Sequence, residues 1–261
     1  MPVERRSIDL NADLGEAADA AGREVEHQLL ALVTSAHIAC GGHAGDEVSM
    51  REMVRAACDN GVRVGAHPSY PDRAGFGRRP LAMAANELAS SLGQQIGALV
   101  DVTGSSGTWV RSIKAHGALY GDVARRPATW DVFLGVVRDL CGSAVTVVLP
   151  AGAPAVDWAR HAGITVLEEG FADRAYTADG GLLARDQPGS VYDDPEEAAA
   201  QARRLATGGT VTAVDGTVLT LRVDTLCVHG DSPNAPALAR AVGRALADDG
   251  IAVEAPSIPA D

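Results

Sequence analysis

The segment HIACGGHAGD, residues 37–46, sets two histidines, a cysteine, an aspartate and three glycines between an apolar run and a helix-like stretch. Glycine gives a connecting loop unusual backbone angles, but such a loop has no need of His43 and Asp46 beside them. Comparable groups recur along the chain. They are Asn11, Asp13 and Glu16 in NADLGE; His67, then Ser69, Asp72 and Arg73; Lys114 and His116 in IKAHG; Glu168, Glu169, Asp173 and Arg174 in EEGFADR; and His229 and Asp231 in HGD. Histidines and carboxylates act as general acids and bases, and an ammonium such as Lys114 stabilises negative charge developing on a carbonyl or phosphoryl oxygen. Asp and His side chains around one opening can equally hold a divalent metal that activates water. No HxxH, HxxxH or HExxH spacing is present, so no metal ligand is assigned, and spacing does not choose between the two chemistries.

Each residue also has a structural reading. A single histidine at a strand edge is satisfied by ordinary hydrogen bonds, Asp13 suits a turn, and Asp46 suits a helix N-cap. Cys40 and Cys227 fit small core positions, and His37 fits a place deep in a barrel or on its outer face. The weight comes from the set, because so many polar groups gathered in one place are costly without a shared purpose.

The elements that must position these groups alternate. Short apolar runs at 7–14, 35–42, 62–69, 112–119, 144–150, 164–171 and 225–231 read as strands. Amphipathic stretches between them read as helices, including 46–60, about 84–102, 129–141, 154–161, 195–207 and 234–249. Strand then helix, repeated, implies parallel strands with right-handed crossovers and a TIM-like α/β barrel of seven strands, over residues 1–261 as a single domain. A Gly/Asp/Pro-rich stretch at 177–194 and a hairpin around Asp215-Gly216 form an excursion within about 175–222. In such a barrel the carboxyl ends of the strands share one opening. Six of the seven candidate strands end in titratable groups, which predicts a single cleft.

Composition narrows the function classes. An apolar fraction of 46% with 21% charged residues fits a folded core, and a formal charge of −12 disfavours nucleic acid and anionic membranes. Four scattered cysteines without a CxxC pair fit a reducing cytoplasm. The N-terminus MPVERRSIDL lacks the apolar core of a signal peptide, and no apolar run is long enough to span a bilayer. Neither a P-loop nor a dinucleotide fingerprint is present.

Six segments, IDLNADLGE (8–16), IACGGHAGD (38–46), GAHPSYPDRAGFGR (65–78), IKAHGALY (113–120), EEGFADRAYTADGGL (168–182) and CVHGD (227–231), closely resemble the LamB/YcsF family, in order and over almost the whole chain. The resemblance implies a seven-stranded barrel similar to the glycoside hydrolase/deacetylase fold. It implies opening of the lactam 5-oxo-L-proline to L-glutamate with ATP hydrolysis, alongside subunits B and C of a 5-oxoprolinase. Asp13, His43, His67, Lys114, His116 and His229 are then the catalytic candidates. Asn11, Glu16, Asp46, Arg73, Glu169, Asp173, Arg174 and Asp231 are the substrate-binding candidates. ATP is the expected co-substrate, with no motif to place it, and a divalent metal is compatible but unsignalled. The chain departs from the family pattern at His37, Gly42 and Ala115, where Asn, Phe and Pro are expected. Two other readings stay open: a metal-dependent amidohydrolase or deacetylase acting alone, and a non-catalytic 5-oxoproline-binding subunit.

Overall fold

The structure, a computed structural model, describes residues 7–142 and 144–256. The reading of the N-terminus as leader-free falls, up to Arg6, outside the described residues. Strand β1 (Ser7–Leu14) shows why the fold forms. Its even residues, Ile8, Leu10, Ala12 and Leu14, join the hydrophobic core, while Asp9, Asn11 and Asp13 project the other way, as a two-residue period requires. Core-forming side chains therefore lie between the strands and the surrounding helices, and the inside of the barrel is polar.

The chain then runs through α1 (Ala20–Leu30), β2 (Ser35–Ala39), α2 (Glu47–Asp59), β3 (Arg63–His67), α3 (Ala85–Ser105) and β4 (Ser112–Ile113). It continues with α4 (Gly117–Arg125), α5 (Pro127–Cys141), β5 (Thr146–Pro150), α6 (Pro154–His161) and β6 (Val166–Phe171). After β6 come α7 (Pro195–Arg203) with a π turn at Arg204–Gly208, then β7 (Thr210–Thr212) and β8 (Val218–Thr220). The last elements are β9 (Thr225–Cys227), α8 (Ala235–Asp248) and β10 (Ala252–Val253). Strands β1–β6 pair in sequence, all parallel, and β9 pairs with both β6 and β1, which closes a barrel of seven strands. The short β10 adds to the start of β1. The hairpin expected around Asp215-Gly216 is β7 with β8, paired antiparallel outside the barrel.

One expectation is corrected, and one helix was not foreseen. The strand expected at 112–119 keeps regular pairing only at Ser112 and Ile113. Beyond it Lys114 N still bonds Ala66 O and His116 N bonds Pro68 O, but Gly117 turns with a φ of 55° directly against the Gly77 carbonyl, and α4 starts there. That helix was missed because GALYGDVAR carries two glycines, which lower helix propensity. Among the described residues no helix is long and apolar enough to cross a membrane.

Candidate functional site

A hydrogen-bonded column fills the barrel. At the closed end Asp9 accepts from Thr34, Ser35 and Thr225. Above it Asn11 donates through Nδ2 to Thr225 Oγ1 (2.7 Å) and Glu169 Oε1 (3.0 Å), and its Oδ1 lies 3.2 Å from His37 Nδ1. The other His37 nitrogen is 3.1 Å from Ser112 Oγ, so His37 is inside the barrel and spent on structure. Gly65 makes room for that contact, since a Cβ there would lie 2.5 Å from the His37 ring and from Ser112 Oγ.

Lys114 heads the column. Its Nζ contacts Asp13 Oδ1 (2.9 Å), Glu169 Oε1 (2.8 Å) and Cys227 Sγ (3.3 Å), and Tyr120 donates its hydroxyl to Glu169 Oε2 (2.6 Å). Burial opposes the charged form, yet Asp13, Cys227 and Glu169 raise the Lys114 pKa well above the usual lysine range. Burial would likewise raise Asp13, but the charges of His67 and Lys114 hold it well below the usual carboxylate range.

Three imidazoles gather beside Asp13. His67 Nδ1 lies 2.8 Å from the Lys114 carbonyl and His116 Nε2 lies 2.9 Å from the Phe76 carbonyl; a carbonyl only accepts, so each of those nitrogens carries a proton. Their other nitrogens, His67 Nε2 and His116 Nδ1, face each other at 3.0 Å. His43 stacks on His116 with ring centroids 3.7 Å apart, and its Nε2 is 2.8 Å from Glu16 Oε1. His43 Nδ1 is buried without a partner. Burial pushes His43 down to about 4 and lowers His116, whereas Asp13 outweighs burial and raises His67. Glu16 stays ionised despite burial through its bonds to His116 and His43. The Phe76 carbonyl is aimed by a turn in which Phe76, with no glycine's freedom, takes a φ of 53°.

The opening at the carboxyl ends of the strands is a cavity of about 760 Å³ whose lining includes Asp13, Glu16, Lys114, His116, Arg174, His229 and Asp231. Arg174 donates to the carbonyls of Ser190 and Leu183, and burial lowers it to about 10, so it remains a cation at neutral pH. His229 is held by Asp173, which accepts from its backbone N–H and its Nδ1 at 2.9 and 3.0 Å, leaving Nε2 unspent by that pair. Asn11, His43, His67, Glu169 and Asp173 lie buried behind the lining. A second chamber of about 510 Å³ shares Gly117, Tyr120, Phe171 and Leu182 with the first.

Two sequence candidates stand apart from the cavity. Asp46 is an exposed N-cap of α2 in a capping box with Ser49. Arg73 donates to the carbonyls of Gly41 and Gly45 and so ties down the loop that carries His43. The sequence reading missed Tyr120, Arg185 and the placement of Arg78. Arg78 and Arg185 both bond Asp231 Oδ2, at 2.8 and 2.6 Å, at the rim. Tyr120 follows His116 by four residues, a helical spacing that only a helix assignment for 117–125 would have exposed. Of the departures from the family pattern, Gly42 has a visible counterpart. A Cβ there would meet Gln95 Oε1 at 2.3 Å, and Gln95 occupies that space bonded to the Ser69 backbone.

Among the described residues, two groups could hold a metal: Glu16, His43, His67 and His116, and Asp13, Cys227 and His229.

A closed parallel barrel of seven strands, with imidazoles and carboxylates at the carboxyl ends, defines a TIM-like α/β protein. The LamB/YcsF family profile matches residues 8–260. The chain is 47% identical over 250 residues to the 5-oxoprolinase A subunit of Methylococcus capsulatus, covering 96% of each chain. It is 44% identical over 247 residues to one of the 5-oxoprolinase A subunits of Agrobacterium fabrum, covering 95% of this chain and 96% of that one. The crystal structure of a lactam utilization protein from Thermus thermophilus superposes with a TM-score of 0.85 at 40% identity, covering 95% of this chain and 99% of that one. The chain belongs to the LamB/YcsF family.

Proposed function

We propose that the protein is the A subunit of a 5-oxoprolinase, opening 5-oxo-L-proline to L-glutamate with ATP hydrolysis in a complex with B and C subunits. The observation that carries this is identity of 47% along 96% of a chain named for that subunit. The cleft supplies chemistry the reaction needs. A five-membered lactam is a weak electrophile, so transfer of the ATP γ-phosphoryl group to the amide oxygen, releasing ADP, makes the ring carbon open to attack by water. Cleavage of the C–N bond with a proton delivered to nitrogen leaves an acyl phosphate, and a second water releases phosphate and glutamate. In that scheme His229, which lines the cavity and is held by Asp173, takes the proton of the attacking water and returns it to the departing nitrogen. Arg174 faces the substrate carboxylate, and Lys114 stabilises charge at the phosphorylated oxygen. The cavity exceeds the needs of a small lactam, which suits a phosphorylated form of it. No phosphate-cradling motif in the sequence assigns the ATP site to this chain, to a partner or to the space between subunits.

The test is reconstitution. Combining the chain with its B and C subunits, ATP and 5-oxoproline is expected to release glutamate. His116→Ala is expected to lower kcat at least ~100-fold, in line with removal of a proton-transfer group or its support. Unchanged turnover by that variant would remove the cleft from the reaction.

A further inference from the structure

We propose that Glu16, His43, His67 and His116 bind a divalent cation of the zinc class at the floor of the cavity. The proposal deepens the reading of this cleft as the reacting site and stands on the arrangement of the donor atoms. One donor from each residue lies within 4.8 Å of all the others. Glu16 Oε1 is 2.8 Å from His43 Nε2, 3.3 Å from His116 Nδ1 and 3.7 Å from His67 Nε2, and the last two are 3.0 Å apart. Four ligands at about 2.1 Å around a tetrahedral ion stand roughly 3.4 Å from each other. These four separations bracket that value, and the His43 ring, which lies parallel to His116 with centroids 3.7 Å apart, must tilt out of that stack for its lone pair to point at the same ion.

Proton accounting gives a second, independent reason. His67 Nδ1 and His116 Nε2 are committed as donors to the Lys114 and Phe76 carbonyls, so the two nitrogens facing each other are bare lone pairs when both rings are neutral. Such a pair needs a positive species between them, either a metal ion or a proton on His67 Nε2, which also lies 3.3 Å from Asp13 Oδ2. Carbonyls that fix the far nitrogen of each ring are the outer partners that orient metal-bound histidines. His43 lacks such a partner at Nδ1, so it is the weakest of the ligands. Three imidazoles with one carboxylate suit zinc, cobalt or nickel and not magnesium or calcium, which take oxygen ligands. Glu16 and His116 line the cavity, so the ion would face substrate, where it would polarise a carbonyl oxygen.

The experiment uses the full chain, stripped with chelator and titrated with cobalt(II) chloride at neutral pH. Uptake is read as metal retained after gel filtration and as the visible absorption of cobalt in a low-coordinate nitrogen and oxygen site. About one cobalt per chain is expected. His43→Ala is expected to weaken uptake roughly 10-fold and the double variant His67→Ala/His116→Ala by at least ~100-fold, with circular dichroism reporting the fold. Failure of the stripped wild-type chain to retain cobalt would assign the positive species to a proton and overturn the proposal, as would full uptake by the folded double variant. Because the titration needs neither partner subunits nor 5-oxoproline, its outcome is separate from that of the reconstitution. Glutamate release insensitive to chelator, from a chain that binds no cobalt, would sink the metal and leave the lactamase reading standing.

Discussion

Two carboxylates, Asp13 and Glu169, share one buried ammonium, Lys114. Removing it leaves two buried charges without their partner, so Lys114→Met is expected to cost about 3–5 kcal/mol of stability. A urea midpoint within error of the wild type would contradict that. His37 offers a test of linkage away from the opening. Burial, with the Lys114 charge, lowers its pKa well below that of free imidazole, so it is neutral in the folded chain and protonates first in the unfolded one. Its contribution is complete above about pH 6.5 and is lost on acidification, at up to about 1.4 kcal/mol per pH unit. His37→Asn is therefore expected to flatten the fall in stability between pH 6.5 and 5, measured as urea midpoints of the two chains across that range. Residue types at strand ends were legible in the sequence: seven of the fourteen candidates line the cavity, and five more lie directly behind it. Asp46 and Arg73 were not separable from these, because a cap or a loop tie uses the same charged side chains as a binding site.

Elements decide how close those residues come. Gly65 lies in the middle of β3, where a methyl group would collide with both His37 and Ser112. Gly65→Ala is expected to cost about 1–3 kcal/mol by overpacking the barrel interior, and thermal unfolding would show it as a lower Tm. A Tm equal to that of the wild type would mean the column repacks freely. The alternation of strand and helix was readable because the outward faces of the strands and the core faces of the helices follow clean periods, as in β1 and α2. The β4–α4 region was not, since its path is set by Gly117 meeting the Gly77 carbonyl, a contact between segments 40 residues apart in a chain that shows no local sign of it. The facing nitrogens of His67 and His116 were hidden for the same reason. They come from different strand ends, and the backbone carbonyls that orient them leave no mark in the sequence.

At the scale of the whole molecule, function and closure occupy opposite ends. β10 pairs with the start of β1, Glu254 N bonds Ile8 O, and Arg63 bonds the Pro256 carbonyl, all away from the cavity. A chain ended at Gly250 is expected to lose about 1–3 kcal/mol of stability while keeping its kcat in the reconstituted complex at low temperature, because barrels place stability and chemistry at opposite faces. Loss of kcat without loss of stability would reverse that division. The rim carries Arg78, Arg174 and Arg185 beside Asp186 and Asp231 on a chain whose formal charge is −12, so the opening is less negative than the molecule as a whole.

The column from Asp9 to Lys114 carries one more consequence. Its members are joined end to end, Thr225 donating to Asp9, Asn11 donating to both Thr225 and Glu169, and Lys114 pairing with Glu169, so the floor of the barrel and its reactive rim form one connected electrostatic network. Acidity at the rim can then be tuned from below, by exchanges at Thr225 or Ser35 that no substrate ever touches. A family built this way has a reservoir of adjustment in positions that a comparison of cavity linings alone would pass over.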